Sequence, residues 1–208
     1  MPEPGAQLRF WRPAGRNGAA PARTPRCDAQ DCDPRQWRAQ SAPMSSGLRA
    51  TARRIRHASG YLGLGMIREA TAELAQIPVG DDGLPAVMSA RIDLSMAKKE
   101  WVLVAGRGEI LARSHPKIEA GWIAWAYALR ELNRIPEAKA VLLEAEPILG
   151  RKCGVLHYNL ACYYCLLGEP QEAKRRLAIA CRMDGQWKQS ALADPDLQAM
   201  RDEITALG

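Results

Sequence analysis

A chain of 208 residues with 47% apolar content is long enough for one domain plus an appendage, and too apolar to stay unfolded throughout. Its net charge of +6 is lopsided. Residues 1–50 hold eight arginines against four acids, +4 of the total, which leaves +2 for residues 51–208 and argues against a body built to grip nucleic acid. No run approaches the roughly 18 apolar residues of a membrane span, and no apolar stretch follows a basic start. Neither a membrane anchor nor a secretory leader is expected, and a cytoplasmic protein is.

Residues 1–48 are rich in Arg, Ala, Pro and Gly, contain no lysine and show no helical or strand period. Such a segment cannot bury enough apolar surface to offset its ordering entropy, which predicts disorder. Met44 opens M-S-S-G-L-R-A directly before the first periodic residues and stands as an alternative start, with residues 1–43 an overlong reading of GC-rich DNA. The basic arm is where nucleic-acid contact stays open as an alternative function, with steep salt dependence. Cys27 and Cys32 form C-x4-C without a second pair or nearby histidines, which argues against zinc there.

From residue 51 a period appears. Glu-Ala dipeptides stand at Glu69-Ala70, Glu137-Ala138 and Glu172-Ala173; the first two are 68 residues apart, twice 34, and the last two 35 apart. Repeat starts at Thr51, Pro85, Glu119 and Gly154 put Ala58, Ile92, Ala126 and Ala161 at position 8. Position 20 reads Ala70, Val104, Ala138, Ala173; position 24 reads Leu74, Gly108, Leu142, Leu177; position 27 reads Ile77, Leu111, Ala145, Ala180. Small residues recur where helix backbones must approach, which suits a chain whose only phenylalanine is Phe10 and whose packing falls to Ala, Leu and Ile. Position 15 reads Gly65, Lys99, Asn133, Gly168, where a helix must stop with positive φ. The second repeat strays at Lys99 and Gly108.

This pattern resembles the tetratricopeptide repeat, a 34-residue helix–turn–helix unit. The fourth repeat, with Leu160, Ala161, Tyr164, Gly168 and Ala173, resembles it best. The third places Trp122, Ala126 and Leu129, the first Tyr61, Gly65 and Ala70, and the second Trp101 and Pro116. The resemblance implies an all-α, right-handed superhelical solenoid of four repeats over 51–187, divided as 51–84, 85–118, 119–153 and 154–187. A capping helix over 190–207 is expected to cover the last repeat. There Asp194 suits an N-cap, Pro195 the first helical position, and Leu197, Met200, Ile204 and Leu207 share one face.

The stretch H-Y-N-L-A-C-Y-Y-C at 157–165 holds a C-x-x-C pair. Cys162 and Cys165 fall at positions 9 and 12, in the middle of a helix, where no helix N-terminus lowers a thiol pKa. Zinc would need two more ligands, and His157 lies off the face of Cys162. Half-buried free thiols are expected, with a thiol-metal site as an alternative and neither a metal nor a cofactor assigned. His57, His115 and His157 are scattered, Asp81-Asp82 reads as a solvated turn, and Arg53, Arg54 and Arg56 as a solvated basic face. No phosphate loop, nucleophile elbow or paired carboxylates appear, so the expectation is a binding protein and not an enzyme.

In proteins of the resembled family, first helices line a concave groove with positions 2, 5, 9, 12 and 13. The resemblance therefore implies a partner-binding groove of Asp93, Met96, Ile123, Tyr127, Arg130, Glu131, Tyr158, Cys162 and Cys165. Tyr127 and Tyr158 are its expected anchors for a peptide or helix of a protein partner. The same stripe could instead be core covered by the chain itself. A secretion or assembly chaperone of the same fold is a further alternative. The family's basic clamp for a C-terminal carboxylate is disfavoured, because Ala86, Ser89, Ala90, Ala120 and Ala124 stand where it wants cations and Asn159 alone fits.

Overall fold

The computed structural model describes residues 46–205. Residues 1–45, with Cys27, Cys32 and Met44, and residues 206–208, with Leu207 of the expected capping face, lie outside the described residues. Four antiparallel helix pairs follow one another: α1 (Ser46–Gly63) with α2 (Ile67–Ala75), α3 (Pro85–Ala97) with α4 (Trp101–Ser114), α5 (Glu119–Glu131) with α6 (Ile135–Leu149), and α7 (Gly154–Leu166) with α8 (Pro170–Met183). A short 3-10 turn, Val79–Asp81, precedes α3. The chain closes with α9 (Gln186–Leu192), a 3-10 segment (Pro195–Met200) and α10 (Arg201–Thr205). No strand occurs among the described residues, and none of their helices is long and apolar enough to cross a membrane.

Two boundaries differ from expectation. Helix α1 starts at Ser46, so residues 46–48 of the segment expected to be disordered are helical. Once the turn at buried Thr51 is anchored, extending it backward avoids the cost of a new nucleus. The cap is not one helix from 190. α9 ends at Leu192, the chain turns, and Asp194 starts a new segment by accepting the Asp196 N–H at 2.9 Å. Pro195 cannot donate and so sits where no donor is needed.

One turn geometry joins the helices of all four pairs. Gly65, Lys99, Asn133 and Gly168 take φ of 74°, 58°, 59° and 74°. The next residue donates back across the turn each time: Met66 to Tyr61, Glu100 to Ser95, Arg134 to Leu129 and Glu169 to Tyr164, all at 2.8–2.9 Å. The left-handed residue itself donates to the carbonyl three back, at 2.9–3.1 Å. This is the Schellman closure, which satisfies carbonyls that the helix end would leave unpaired. Lys99 adopts it despite its Cβ.

Each second helix packs on the first helix of the next pair, which builds a solenoid. Ala58, Ala126 and Ala161 at position 8 are at most 1% exposed, as are Ala70, Val104, Ala138 and Ala173 at position 20. Gly108, where the other repeats have Leu, marks the tightest crossing. A Cβ there would lie 2.7 Å from Trp125 N, and one on Gly121 would lie 2.6 Å from Ala112 N. The backbones of α4 and α5 touch, and only glycine fits between them. Trp122 fixes the next pair by donating its indole N–H to the Pro116 carbonyl at 2.9 Å. Farther along, Arg176 of α8 forks onto the Glu146 carboxylate of α6, and His157 donates Nε2–H to the Gly150 carbonyl at 2.8 Å. That leaves His157 Nδ1 as an acceptor facing Arg176 at 3.5 Å. These polar groups join the last two repeats.

Candidate functional site: a groove and the segment that fills it

Helix α7 has no polar face: Leu156, His157, Tyr158, Leu160, Ala161, Cys162, Tyr163 and Tyr164 are all buried. A helix hydrophobic all round must be covered on every side. Helices α6 and α8 cover two sides, and the 3-10 segment Pro195–Met200 lies against a third. The face of α7 expected to line a groove is therefore covered by the chain's own C-terminal segment.

Two carboxylates fix that segment. Asp196 receives a forked pair of bonds from Arg130 of α5, with Nε to Oδ2 at 2.9 Å and Nη2 to Oδ1. Arg130 also donates Nη1–H to Glu131 at 2.7 Å. Burial works against the guanidinium charge, but the hydrogen bonds and charge of Asp196, then of Glu131, hold the Arg130 pKa above its usual range. Asp194 uses Oδ1 to accept the Asp196 N–H and Oδ2 to accept the Tyr158 hydroxyl at 2.7 Å, with the Cys162 thiol at 3.8 Å. Trp187 of α9 packs on the Tyr158 ring at 4.8 Å between centroids. Beneath, Leu197, Met200 and Ile204 are at most 2% exposed in the same apolar core as Leu160 and Leu177.

The expected groove residues divide accordingly. Ile123, Tyr127, Arg130, Tyr158 and Cys162 come together around one pocket beside the C-terminal segment. Tyr158, at 1% exposure, is not the exposed anchor expected of it, because Trp187 and Asp194 close over it. Cys162 and Ile123 are likewise buried. Met96 is core, packed with Ile92, Val104 and Leu111, and Asp93 is buried on α3. Tyr127 stays half-buried, edge-on to Trp101 at 5.8 Å, and Arg130, Glu131 and Cys165 are half-buried as well. Burial pushes the Tyr127 hydroxyl well above its usual pKa, with the Glu131 charge adding to it.

Cys162, Asp194 and Asp196 bring one thiol and two carboxylates within 4.8 Å of one another, a donor set that could hold a metal ion. The carboxylate lone pairs are already directed at Arg130, Tyr158 and a backbone N–H, and the Cys162 thiol faces Asp194 as a donor. Burial also raises the Cys162 pKa well above its usual value, so the thiol stays protonated. Cys165, the second member of the C-x-x-C, is not in this set. The N-cap role of Asp194 accounts for one acid of A-D-P-D-L, and the second, Asp196, is the sequence signal that more than a cap stands there.

No family model matches the chain, and no curated protein matches it. Among solved structures it is similar to the crystal structure of a thermophilic TPR protein of Thermus thermophilus, with 22% identity over 75% of this chain and 87% of that one, and a TM-score of 0.61. The fold is that of a tetratricopeptide-repeat solenoid. In that frame Arg130 stands at position 12 of a first helix and Tyr158 at position 5 of the next.

Proposed function

We propose that this TPR-like chain is a non-enzymatic protein-interaction scaffold whose inner groove receives a peptide segment or helix of a partner protein. The observation that carries the reading is the chain's own residues 194–200, a peptide segment held in that groove by two carboxylates in a defined register. The half-buried Tyr127, Arg130 and Glu131 form the rim through which a partner makes contact, with the aromatic and the guanidinium as anchors. A cytoplasmic setting accords with the free thiols Cys153, Cys162, Cys165 and Cys181. In this reading residues 51–187 with the cap form the interaction body, and 1–43 contribute nothing to its folding. Equal melting of the full chain and residues 44–208 is the expected result; a drop of several degrees on truncation would contradict it.

Photocrosslinking tests the groove. A photoreactive residue at Tyr127 is expected to trap partner protein in the source cell, whereas one at Val102, 72% exposed on the outer helix α4, is not. Crosslinking from position 102 alone, or equally from both, would place binding elsewhere.

A further inference from the structure

We propose that the end of the groove between α5 and α7 recognises an acidic partner segment carrying two carboxylates two residues apart, and that residues 194–204 occupy this site in cis until such a segment displaces them. The proposal rests on the scaffold reading and adds the partner's chemistry and the way access is controlled.

The site is built for carboxylates. Arg130 presents a fork to one carboxylate, and Tyr158 presents a hydroxyl to the other. A guanidinium fork matches a carboxylate in geometry as well as charge. The spacing follows from the same contacts. Asp194 and Asp196 can engage both donors at once because Asp194 also turns the chain by accepting the Asp196 N–H.

The C-terminal segment does not exhaust the site. Tyr163, which lines the same pocket and is 2% exposed, has a hydroxyl with no hydrogen-bond partner among the described residues. An occupant with one more acceptor can bond that hydroxyl directly, which no group of the cis segment does. A space of about 30 Å³ beside the segment gives room for one small polar group.

The apolar side of the segment adds a second requirement. Leu197, Met200 and Ile204 are fully buried, and they follow the second acid by one, four and eight residues. Displacement exposes them unless the incoming segment brings apolar side chains at the same spacing. The expected partner motif is therefore acid–x–acid–apolar, with a helical continuation.

A tethered segment competes at an effective concentration on the order of millimolar. The unmodified chain is thus expected to bind a free ligand weakly, and weakening the cis segment should expose the site. The probe is a fluorescent peptide of the sequence A-D-P-D-L-Q-A-M-R-D-E-I-T, that of residues 193–205. It is titrated against the full chain by anisotropy. Asp194→Asn with Asp196→Asn keeps a competent cap, since Asn caps as well as Asp, while removing both charges. This doubly substituted chain is expected to bind the peptide at least about 10-fold more tightly than the unmodified chain, and adding Arg130→Met should remove the gain. Because the double substitution could cost folding, a charge swap serves beside it. Arg130→Asp with Asp196→Arg should keep the cis contact, refuse the acidic peptide and accept one with Arg at the position of Asp196. No gain in a chain that circular dichroism shows folded, a gain that survives Arg130→Met, or a charge-swapped chain without altered peptide preference would overturn the proposal. So would a dimer that exchanges C-terminal segments and that excess peptide cannot dissociate. Groove crosslinking from Tyr127 would survive each of these outcomes, so the two readings fail separately.

Discussion

The second and fourth repeats end their first helices with the same backbone and different residues. Gly168 and Lys99 both take the left-handed conformation and both close the same pair of hydrogen bonds. At position 24 the difference reverses: Leu177 fills a gap between helices in the fourth repeat, and Gly108 allows backbone contact in the second. The repeat thus preserves helix geometry more strictly than residue type. One departure costs strain, the other sets a closer crossing.

The largest effect is expected from making the second repeat resemble the others at position 24. Gly108→Leu drives a side chain into the backbone of Trp125. Overpacking costs typically about 1–3 kcal/mol and occasionally more, and this site, walled by backbone that cannot rotate away, belongs at the upper end. A urea midpoint should fall accordingly; an unchanged midpoint would mean that α4 and α5 are not in contact.

A smaller loss is expected in the fourth repeat from Tyr158→Phe. The ring still packs on Trp187, but the Asp194 carboxylate loses a donor, which costs about 1–3 kcal/mol for a buried group. Equal stability of the two chains in urea would show that the hydroxyl is not bonded.

At the turn the two repeats should respond with opposite signs. A non-glycine residue in the left-handed region costs about 1–2 kcal/mol, and glycine returns part of that as unfolded-chain entropy. Lys99→Gly is expected to stabilise by about 0.5–1 kcal/mol, and Gly168→Ala to destabilise by a similar amount. Matching signs for the two would break the comparison.

The smallest effect is a pH dependence at the contact between the second helices of the last two repeats. The hydrogen bond from Arg176 holds the Glu146 carboxyl below its usual range, although partial burial pulls the other way. A depressed folded pKa adds stability that is complete above the unfolded value of about 4.3 and is lost as pH falls through the folded value. Glu146→Gln should flatten the acid limb of the stability profile, and an unchanged limb would assign that limb to other carboxylates.

Most of the fold was legible because small residues and turn glycines recur at fixed positions, and the physics that demands them is local. Asn133 and Gly65 advertise the turn; Lys99 does not, and only the register of its neighbours marks it. Gly108 read as a lapse because its reason lies across space in Trp125. The site was legible in part. Arg130 and Tyr127 fall on expected groove positions, but the places where the family's clamp wants cations hold Ala86, Ser89, Ala90, Ala120 and Ala124, and the cation stands at position 12. Tyr158 read as exposed because position 5 faces the groove, and no count of positions reveals that Asp194 and Trp187 return to cover it.

The contact between Arg130 and Asp196 carries the account, and a double-mutant cycle measures it. Unfolding free energies of the unmodified chain, Arg130→Met, Asp196→Asn and the double substitution give the coupling between the two side chains. The account predicts a favourable coupling of at least about 1 kcal/mol, as for a forked, partly buried ion pair whose partners lie 66 residues apart. Additive losses, with no coupling, would mean that the C-terminal segment is not held in the groove by this pair.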